Sequence, residues 1–407
     1  MMNTIIIGGG QAGLALSYFL IQHNLNHVVL EQAAYPGSAW HDHRWDSFTF
    51  VTPNSMSELP GLRSPGDPDG FLSRDEITAY FRRYAETYRL PVRYNSQVVS
   101  VEQGHSGYRV LLLDGEALEA ENVIVATGSF QRPKLPLCSS DLPARIMQIH
   151  SSQYRNPQLL PDGAVLVVGS GQSGCQIAEE LYQSGRQVYL CVSAVGRVPR
   201  RYRGYDGFYW ADKIGMLGRT ADKLSSPKAK FAGNPQVSGA KGGHNLNLHQ
   251  FARDGVRLLG HLQQIRSDQL ILEADLRDNL AKTDQMEAMF LKAVDAYIEQ
   301  HQLDLAEEQV LRLHDGYEES EILELDLKQA NINSVVWATG YAFDYSLVKL
   351  PVTDADGFPI SQRGVTAYPG LYFLGMPYLY KQKSGLLMGI GEDAEYLADH
   401  IAARIPR

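Results

Sequence analysis

The feature that most constrains this fold is a glycine-rich pattern that the sequence contains twice. Each copy has an apolar run, then a turn with glycines at its first, third and sixth positions, then apolar residues at helical spacing. The six glycines are Gly8, Gly10, Gly13, Gly169, Gly171 and Gly174. Such glycines permit a tight bend off a strand, close approach of the backbone to a pyrophosphate, and close packing of the helix on the strand. Each copy therefore predicts a strand, a turn and a helix that bind a dinucleotide.

The distance between the copies predicts two complete domains. They begin 161 residues apart, which is too far for two halves of one nucleotide-binding fold. The chain of 407 residues also has room for two to three domains, taking about 150 residues per domain. Because apolar strand-like runs alternate with helical or turn-rich segments, we predict an α/β fold with two Rossmann-like domains.

Proline content and a repeated strand end indicate the domain boundaries. Residues 133–161 contain five prolines and predict an extended connector. The strand that ends in Ala-Thr-Gly at 338–340 resembles the one that ends at 126–128, which predicts that the chain returns there to the first domain. The predicted bounds are 1–150 and 328–407 for the discontinuous first domain, and 160–327 for the second domain inserted into it.

The second domain contains two segments that the repeat does not explain. Residues 194–250 are rich in glycine, arginine and aromatic side chains, which would line an apolar pocket or form a packing or dimer surface. Residues 275–300 have apolar positions at the spacing of an amphipathic helix, for which core packing is the expected role.

Composition excludes several other classes of protein. With 37 Lys and Arg against 46 Asp and Glu, the net charge of −9 argues against a nucleic-acid partner. The three cysteines have neither disulfide-framework nor metal-type spacing, so we predict a reducing compartment, the cytoplasm, and no metal site. The apolar run near the N-terminus is too short for a signal peptide, and no stretch approaches the ~18 apolar residues of a membrane span. We therefore expect no membrane partner.

The two copies differ at the end of the strand that follows each helix. In the first copy that strand ends at Glu31, which is placed to accept hydrogen bonds from ribose hydroxyls. In the second it runs into Ser193 without an acid, and four arginines follow: Arg197, Arg200, Arg201 and Arg203. A carboxylate would repel a 2′-phosphate and guanidinium groups would bind it, so the second site favours NADPH over NADH. The alternative is a solvated basic loop, and which arginine would meet the phosphate stays open.

The loop after Glu31 combines aromatic and cationic residues. Trp40 would pack on a flavin or an adenine, and Arg44 would meet a phosphate. The alternative for each is a buried aromatic loop without a ligand.

Taken together, these motifs resemble the flavin-containing monooxygenases, which are class B flavoproteins. The shared features are the two fingerprints, Gly37-x-x-Trp40, the two Ala-Thr-Gly strand ends, His150-Ser151-x-x-Tyr154, and the stretches 196–204 and 383–387. The resemblance covers nearly the whole chain, is closest to short bacterial members, and implies FAD at the first site and NADPH at the second.

The sequence also departs from the family pattern. In the signature Phe-x-Gly-x-x-x-His, Ala144 and Ile146 replace the Phe and the Gly, although His150 and Tyr154 are kept. Tyr154, where Baeyer–Villiger enzymes have Trp, favours oxygenation of nitrogen or sulfur. Met376 stands where many flavoproteins with two dinucleotides have an acid, and Gly375 or the turn at Ser384-Gly385 would contact the flavin instead.

The sequence thus yields a set of candidate site residues. Asn54 is in the position from which the family points an amide at the flavin hydroperoxide, and His150 has its predicted role at the domain junction. The candidate cofactor-binding residues are Gly8, Gly10, Gln11, Gly13, Glu31, Gln32, Trp40, Arg44, Val99, Ala126, Thr127, Gly128, Gly169, Gly171, Gln172, Ser173, Gly174, Ser193, Arg197, Thr339, Gly340, Gly375, Ser384 and Gly385.

The resemblance implies a reaction with O2 and a small organic substrate. NADPH would reduce FAD, O2 would add to it, and a C4a-hydroperoxyflavin would oxygenate a soft nitrogen or sulfur nucleophile. The alternatives are Baeyer–Villiger oxygenation of a ketone, an NADPH-dependent flavin reductase or oxidase without oxygen insertion, and a nucleotide-sensing regulator. A disulfide reductase is disfavoured because the chain has no CxxC pair. The oligomeric state stays open, with a homodimer as one alternative.

Overall fold

The computed structural model describes residues 2–404, and within them each glycine-rich turn lies between a strand and a helix, as the repeated pattern predicts. The strands are β1 (Met2–Ile7), β2 (His27–Leu30), β3 (Val92–Arg93), β4 (Val98–Gly104), β5 (Gly107–Leu112), β6 (Ala117–Val125), β7 (Arg132–Pro133), β8 (Met147–His150), β9 (Ala164–Val168), β10 (Val188–Cys191), β11 (Arg201–Tyr202), β12 (Tyr205–Asp206), β13 (Arg257–Leu259), β14 (Leu262–Arg266), β15 (Gln269–Leu272), β16 (Glu324–Asp326), β17 (Ile332–Trp337), β18 (Tyr341–Ala342) and β19 (Leu371–Phe373). The helices are α1 (Gln11–Gln22), α2 (Ala39–Asp42), α3 (Arg74–Thr87), α4 (Gln172–Gln183), α5 (Gly207–Lys213), α6 (Leu248–Arg253), α7 (Leu276–Gln300), α8 (Asp315–Glu318) and α9 (Leu387–Arg404).

Two mainly parallel sheets confirm the predicted α/β class and the two Rossmann-like domains. The first sheet has the order β3-β2-β1-β6-β5-β4, with β19 also paired to β6. The second has the order β13-β10-β9-β17-β8 and is parallel throughout. In each sheet the first strand of the glycine-rich unit, β1 or β9, lies in the interior, so its apolar run is covered on both faces. Ile5, Ile6, Leu166 and Val167 are accordingly fully buried.

The predicted domain bounds are wrong for two strands. The bounds 1–150 and 328–407 assign β8 and β17 to the first domain, but β17 pairs with β9 and β8 in the second sheet. The chain crosses between the sheets through β7 and β18, which pair antiparallel with Tyr341 opposite Pro133. These boundaries depend on the pairing of β17 with β8 and β9, which are far from it in sequence, so local sequence patterns cannot predict them. Residues 1 and 405–407 of the predicted bounds lie outside the described residues.

The two segments outside the repeat have different roles. The predicted amphipathic helix is confirmed as α7, which buries Leu276, Leu280, Phe290 and Val294. The segment that we call the insertion, residues 194–250, forms an apolar cluster around Trp210. This cluster packs against residues of the first domain on both sides of the chain, Val51 and Met56 near the start and Leu386 and Met388 near the end. The insertion therefore bridges the two domains.

No helix within residues 2–404 has the length and hydropathy needed to cross a membrane.

Candidate active site

The first glycine-rich turn has the geometry that a dinucleotide requires. Gly8 has a positive φ of 111°, and a Cβ there would lie 2.6 Å from the carbonyl oxygen of Ala126. A Cβ at Gly13 would lie 2.0 Å from the carbonyl oxygen of Gly8, so the helix can approach the strand only without a side chain. At Gly10 a Cβ would meet no atom within 4 Å, which leaves open space in front of the N-terminus of α1. That space fits a pyrophosphate, which the free N–H groups of the first turn would bind.

Glu31 is fixed beside this turn by two backbone hydrogen bonds. Its Oε2 accepts from the N–H of Gly9 at 2.7 Å and its Oε1 from the N–H of Ala33 at 2.8 Å. Burial raises the pKa of Glu31, and these two hydrogen bonds act in the opposite direction. Because a carboxylate has about four acceptor sites, both oxygens retain the capacity to accept from ribose hydroxyls. Gln32 follows it in an exposed position, and Val99 is half-buried on β4.

The structure brings the predicted C-terminal residues to the same turn. The side-chain amide of Gln11 donates to the carbonyl oxygen of Gly385 at 2.8 Å, across 374 positions of sequence. Gly375 has a φ of 91°, and a Cβ there would lie 2.6 Å from that of Ala12. The Ser384 hydroxyl accepts from the N–H of Lys381 at 3.0 Å and so holds the turn closed. The first site is therefore built from the two ends of the chain.

Trp40 and Arg44 form one aromatic and cationic cluster at the edge of the first domain. The Arg44 guanidinium lies 4.9 Å from the ring centre of Trp40 and 4.9 Å from that of Phe130. It is buried, burial lowers its pKa, and it donates to the carbonyl oxygen of His43 at 2.8 Å. The cluster is packed as the alternative of a buried aromatic loop describes, and the contacts of Trp40 with a flavin or adenine and of Arg44 with a phosphate stay predictions.

The second turn repeats the geometry of the first. Gly169 has a φ of 105°, and a Cβ there would lie 2.6 Å from the carbonyl oxygen of Ala338. A Cβ at Gly174 would lie 1.8 Å from the carbonyl oxygen of Gly169, whereas a Cβ at Gly171 would meet nothing within 4 Å. Ser173 follows in the first turn of α4. A second pyrophosphate therefore fits at this helix N-terminus.

The two Ala-Thr-Gly segments lie over the two turns. Thr127 accepts a hydrogen bond from the amide of Gln131 at 2.8 Å, and Thr339 donates to the carbonyl oxygen of Lys134. Each segment ends in a glycine of similar backbone conformation, with φ of 76° at Gly128 and 77° at Gly340. Both strand ends thus approach the edge of a sheet where parallel α/β folds bind ligands.

Arg197 does not have the role that the sequence predicts for it. Its side chain is only 5% exposed, and its Nη2 lies 2.7 Å from Asp284 and 2.8 Å from Glu287 on α7. Hydrogen bonds from His249, Tyr317 and Arg197 lower the pKa of Asp284 to about 2 against the effect of burial, so this carboxylate stays ionised. Two carboxylates therefore already neutralise Arg197, and it is withdrawn as a ligand for a 2′-phosphate.

The remaining members of the basic stretch are also largely engaged. Arg200 is buried and bonded to Asp206 at 2.5 Å, and Arg203 pairs with Asp295 at 2.9 Å. Arg201 is exposed on β11. At the end of β10, the backbone N–H of Ser193 donates to the Ser170 hydroxyl at 2.9 Å, which fixes Ser193 next to the second turn. Ser193 remains the predicted selectivity residue.

His150 lies at the crossing between the domains. It is buried, its Nε2 is 3.0 Å from the carbonyl oxygen of Gly340, and its ring meets that of Tyr341 edge-on. Because a carbonyl only accepts, Nε2 carries the proton, and Nδ1 accepts from the N–H of Ser152 at 3.2 Å. Burial lowers the pKa of His150, so the neutral ring holds the return strand in place.

Two residues connect the domains beside His150, Tyr154 of the predicted motif and Arg155, which the sequence analysis missed. The Tyr154 hydroxyl, fully buried, donates to Glu180 on α4 at 2.6 Å. Arg155 donates to the carbonyl oxygen of Arg44 at 3.2 Å and to that of Asp42. The only available signal for Arg155 was its place directly after the His-x-x-x-Tyr motif.

Asn54 begins the short 3₁₀ helix Asn54–Met56, and it is buried, with 5% of its surface exposed. The nitrogen of its side-chain amide is already hydrogen-bonded within the protein. Its Nδ2 donates to the carbonyl oxygens of Asp67 at 2.8 Å and Pro65 at 3.3 Å, so both amide hydrogens are used. Its Oδ1 is buried and has no hydrogen-bond partner within the described part of the chain. The free atom of the Asn54 amide is thus the acceptor Oδ1, and the predicted role of this amide toward a flavin hydroperoxide stays a prediction.

A cleft of about 400 Å³ opens beside Ser55 and Met56, the two residues that follow Asn54. Met56, Tyr209 and Met388 provide its apolar walls, and its charged groups are Glu58, Asp212 and Lys213. The cleft lies where the first domain, the insertion and the start of α9 meet. A more open depression of about 530 Å³ lies at the opposite end of the second sheet, away from both glycine-rich turns.

Comparisons with known proteins agree with this architecture. Residues 5–202 match the family described as pyridine nucleotide-disulphide oxidoreductase. The chain is 33% identical over 403 residues to an uncharacterized CzcO-like oxidoreductase of Geobacillus kaustophilus, covering 98% of each chain. It is 30% identical over 215 residues to the indole-3-pyruvate monooxygenase YUCCA1 of Oryza sativa subsp. japonica, covering 51% of this chain and 52% of that one.

A solved structure shares the fold along the whole length. It is a flavin-containing monooxygenase from Stenotrophomonas maltophilia, with a TM-score of 0.69 and 21% identity, covering 99% of both chains.

Proposed function

The chain belongs to the family of the CzcO-like oxidoreductases, and we propose that it is a monooxygenase that uses FAD, NADPH and O2. Its fold is that of the FAD- and NADPH-dependent flavin monooxygenases. One observation supports the proposal above all others. Two turns of the same geometry face open space at Gly10 and Gly171, and they differ in the residue that would select the ribose, Glu31 or Ser193.

The residues present fit an FAD at the first turn and an NADPH at the second. Gly10 would lie against the FAD pyrophosphate, Glu31 against the adenosine ribose, and the Gly385 turn against the flavin end. Gly171 and Ser193 would hold the NADPH. When bound, the flavin supplies the oxygen chemistry, in this proposal through a C4a-hydroperoxyflavin.

The protein supplies position and exclusion of water. The insertion packs on Val51 and Met56 and on Leu386 and Met388, so it covers the region between the two turns with apolar side chains. Exclusion of water would slow the breakdown of an oxygenated flavin to oxidised flavin and H2O2. The unpaired Oδ1 of Asn54 would accept a hydrogen bond in this enclosed space.

The substrate would enter through the cleft beside Ser55 and Met56. Its thioether and aromatic walls suit the apolar part of a small organic molecule, and its size matches ligand pockets of about 300–1,000 Å³. We propose that the oxygen is transferred to a nitrogen or sulfur nucleophile of that molecule.

Stopped-flow absorbance tests the proposal directly. The purified protein is reduced anaerobically with NADPH and then mixed with oxygenated buffer. A long-lived spectrum that differs from those of oxidised and reduced flavin supports a monooxygenase, and product analysis with amines, sulfides and ketones then separates N- or S-oxygenation from Baeyer–Villiger reaction. Immediate return of oxidised flavin with stoichiometric H2O2 would contradict the proposal and indicate a reductase or oxidase.

A further inference from the structure

A short segment of the insertion, residues 236–239, exchanges side-chain hydrogen bonds with the second glycine-rich turn. The amide nitrogen of Gln236 donates to the carbonyl oxygen of Ser170 at 2.6 Å. In return, the amide nitrogen of Gln172 donates to the carbonyl oxygen of Val237. The backbone N–H of Gln236 also donates to the carbonyl oxygen of Gly196 at 2.7 Å. The turn and the insertion are thus fixed against each other by side chains from both.

These contacts determine which atom of each amide is left free. A carbonyl oxygen accepts and cannot donate, so the atom that faces it must be Nε2 in both glutamines. The Oε1 atoms of Gln236 and Gln172 therefore point elsewhere. Both are buried and without a hydrogen-bond partner among the described residues, and Gln236 is 0% exposed. Buried acceptors of this kind are rare in native proteins because they lose their hydration without compensation.

The missing partner must be a hydrogen-bond donor. A pyrophosphate offers none, and the backbone N–H groups at the start of α4 suit it better. A pyridine dinucleotide offers two kinds of donor near its pyrophosphate, which are the ribose hydroxyls and the nicotinamide carboxamide N–H.

The surroundings of Gln236 indicate which half of the dinucleotide is involved. Arg200 donates to the carbonyl oxygen of Val51 at 2.7 Å and to that of Ser238 at 3.4 Å. A Cβ at Gly239 would lie 1.7 Å from the carbonyl oxygen of Phe50. The segment is therefore in contact with the loop of the first domain, residues 50–53, that leads to Asn54. The flavin would be bound by the first domain, so the nicotinamide end of the dinucleotide would lie toward these contacts with Phe50 and Val51.

We propose that Gln236, together with Gln172, accepts hydrogen bonds from the nicotinamide riboside half of NADPH. This inference rests on the proposed function, because it takes NADPH as the ligand of the second turn. It assigns to the insertion a direct part in binding the hydride donor, in addition to its role as a cover.

The test compares two ligands in titration calorimetry of the FAD-loaded protein. NADP+ carries the nicotinamide riboside, and adenosine 2′,5′-bisphosphate lacks it. In the variant Gln236→Met, which has a side chain of similar length without hydrogen-bonding groups, we expect NADP+ to bind about tenfold more weakly. The affinity for adenosine 2′,5′-bisphosphate should stay within twofold.

A control and a second variant complete the experiment. Gln263→Met, at an exposed position on β14, should change neither affinity. If Gln236→Met does not retain FAD, Gln172→Met should show the same difference between the ligands. Equal weakening of both ligands would overturn the inference in favour of a structural role, and so would unchanged binding of both. Failure of the wild-type protein to bind NADP+ would instead overturn the proposed function itself.

Discussion

The two glycine-rich turns of this protein are built alike and are used differently. In both turns, a Cβ at the first glycine would lie 2.6 Å from the carbonyl oxygen of an alanine. A Cβ at the third glycine, Gly13 or Gly174, would lie 2.0 Å or 1.8 Å from the carbonyl oxygen of the first glycine of its own turn. These distances leave no freedom in the backbone of either turn. The difference lies outside the turns, where the first has a buried carboxylate, Glu31, and the second a hydroxyl, Ser193.

The neighbours of the two turns also differ. The end of the chain covers the first turn, through the hydrogen bond from Gln11 to Gly385. The insertion covers the second, through Gln236 and Gln172. The comparison teaches that one kind of backbone turn occurs in two different surroundings, with a carboxylate and the end of the chain beside the first turn, and a hydroxyl and the insertion beside the second.

The largest effect is expected from substitution of the third glycine of either turn. Gly13→Ala and Gly174→Ala would place a methyl group against backbone that cannot move, so each should destabilise its domain by several kcal/mol, about 3 or more. Gly13→Ala should yield protein without flavin absorbance. Gly174→Ala should retain the flavin, but NADPH should no longer reduce that flavin. If the two domains fold as one unit, each variant should lose both cofactors.

The second glycine of each turn provides the matched control. A methyl group at Gly10 or Gly171 meets no protein atom within 4 Å. The free energy of unfolding of the apoprotein should therefore change by about 0.5 kcal/mol or less. Binding should still be lost, of FAD at Gly10→Ala and of NADPH at Gly171→Ala, because the methyl group fills the space of the pyrophosphate. Normal cofactor affinity in these variants would show that the open space is not the binding site.

The next largest effect is expected when a buried arginine of the second domain is replaced, and it shows whether that arginine stabilises the fold or binds the cofactor. Arg197→Met leaves Asp284 and Glu287 without their cation, and should lower the free energy of unfolding by about 3 kcal/mol. The preference for NADPH over NADH should not change. Arg201→Met, at an exposed position, should change the stability by about 0.5 kcal/mol or less. An Arg197→Met protein of normal stability that has lost its NADPH preference would restore Arg197 as a phosphate ligand.

A smaller effect is expected where the two turns differ in charge. Ser193→Glu gives the second site the acid of the first, which would repel a 2′-phosphate. The ratio of kcat/KM for NADPH to that for NADH should fall about 30-fold, which corresponds to a charge-assisted hydrogen bond of about 2 kcal/mol. Ser193→Ala, which removes the hydroxyl without adding charge, should lower the ratio less. An unchanged ratio in Ser193→Glu would place the selectivity elsewhere.

The smallest effect concerns two histidines with opposite shifts, one in each domain. Burial lowers the pKa of His27 below 6.5, so its contribution to stability is present above that value and is lost as the pH falls through its folded pKa. The hydrogen bond to Glu179 raises the pKa of His244, so its contribution is present below 6.5 and is lost as the pH rises through its folded pKa.

Urea unfolding between about pH 5 and about pH 8 measures both contributions. His27→Gln should reduce the loss of stability in acid, and His244→Gln should remove a gain of less than about 1 kcal/mol at the acid end, as expected of a partly exposed pair. The same pH profile in both variants would contradict the assignment of opposite shifts.

Much of the fold could be read from local patterns. The strand, turn and helix of each fingerprint, the α/β class and the helix α7 depend on the spacing of apolar residues and glycines within about 25 residues. The assignment of β8 and β17 could not be read in this way, because β17 pairs with β9, which lies far back along the chain.

The same division applies within the candidate site. Glu31 follows its turn closely in sequence, and the structure fixes it there through the N–H of Gly9. The engagement of Arg197 depends on carboxylates 87 and 90 positions further along the chain, and the free atom of Asn54 depends on a loop 11 to 13 positions away. Gln236 carries no motif at all, and only its contact with Ser170 identifies it.

The sequence by itself determined the two dinucleotide turns, the order of the elements and the acid that distinguishes the first site. These features follow from the conformational range of glycine, the β-branched runs and helical periodicity, which act over short distances along the chain. Only the tertiary structure decided which arginines are neutralised, which atom of Asn54 is free, where the chain crosses between sheets and that Gln236 faces the second turn. Charge neutralisation and hydrogen-bond partnership depend on distance in space, and that distance exists only once the chain has folded.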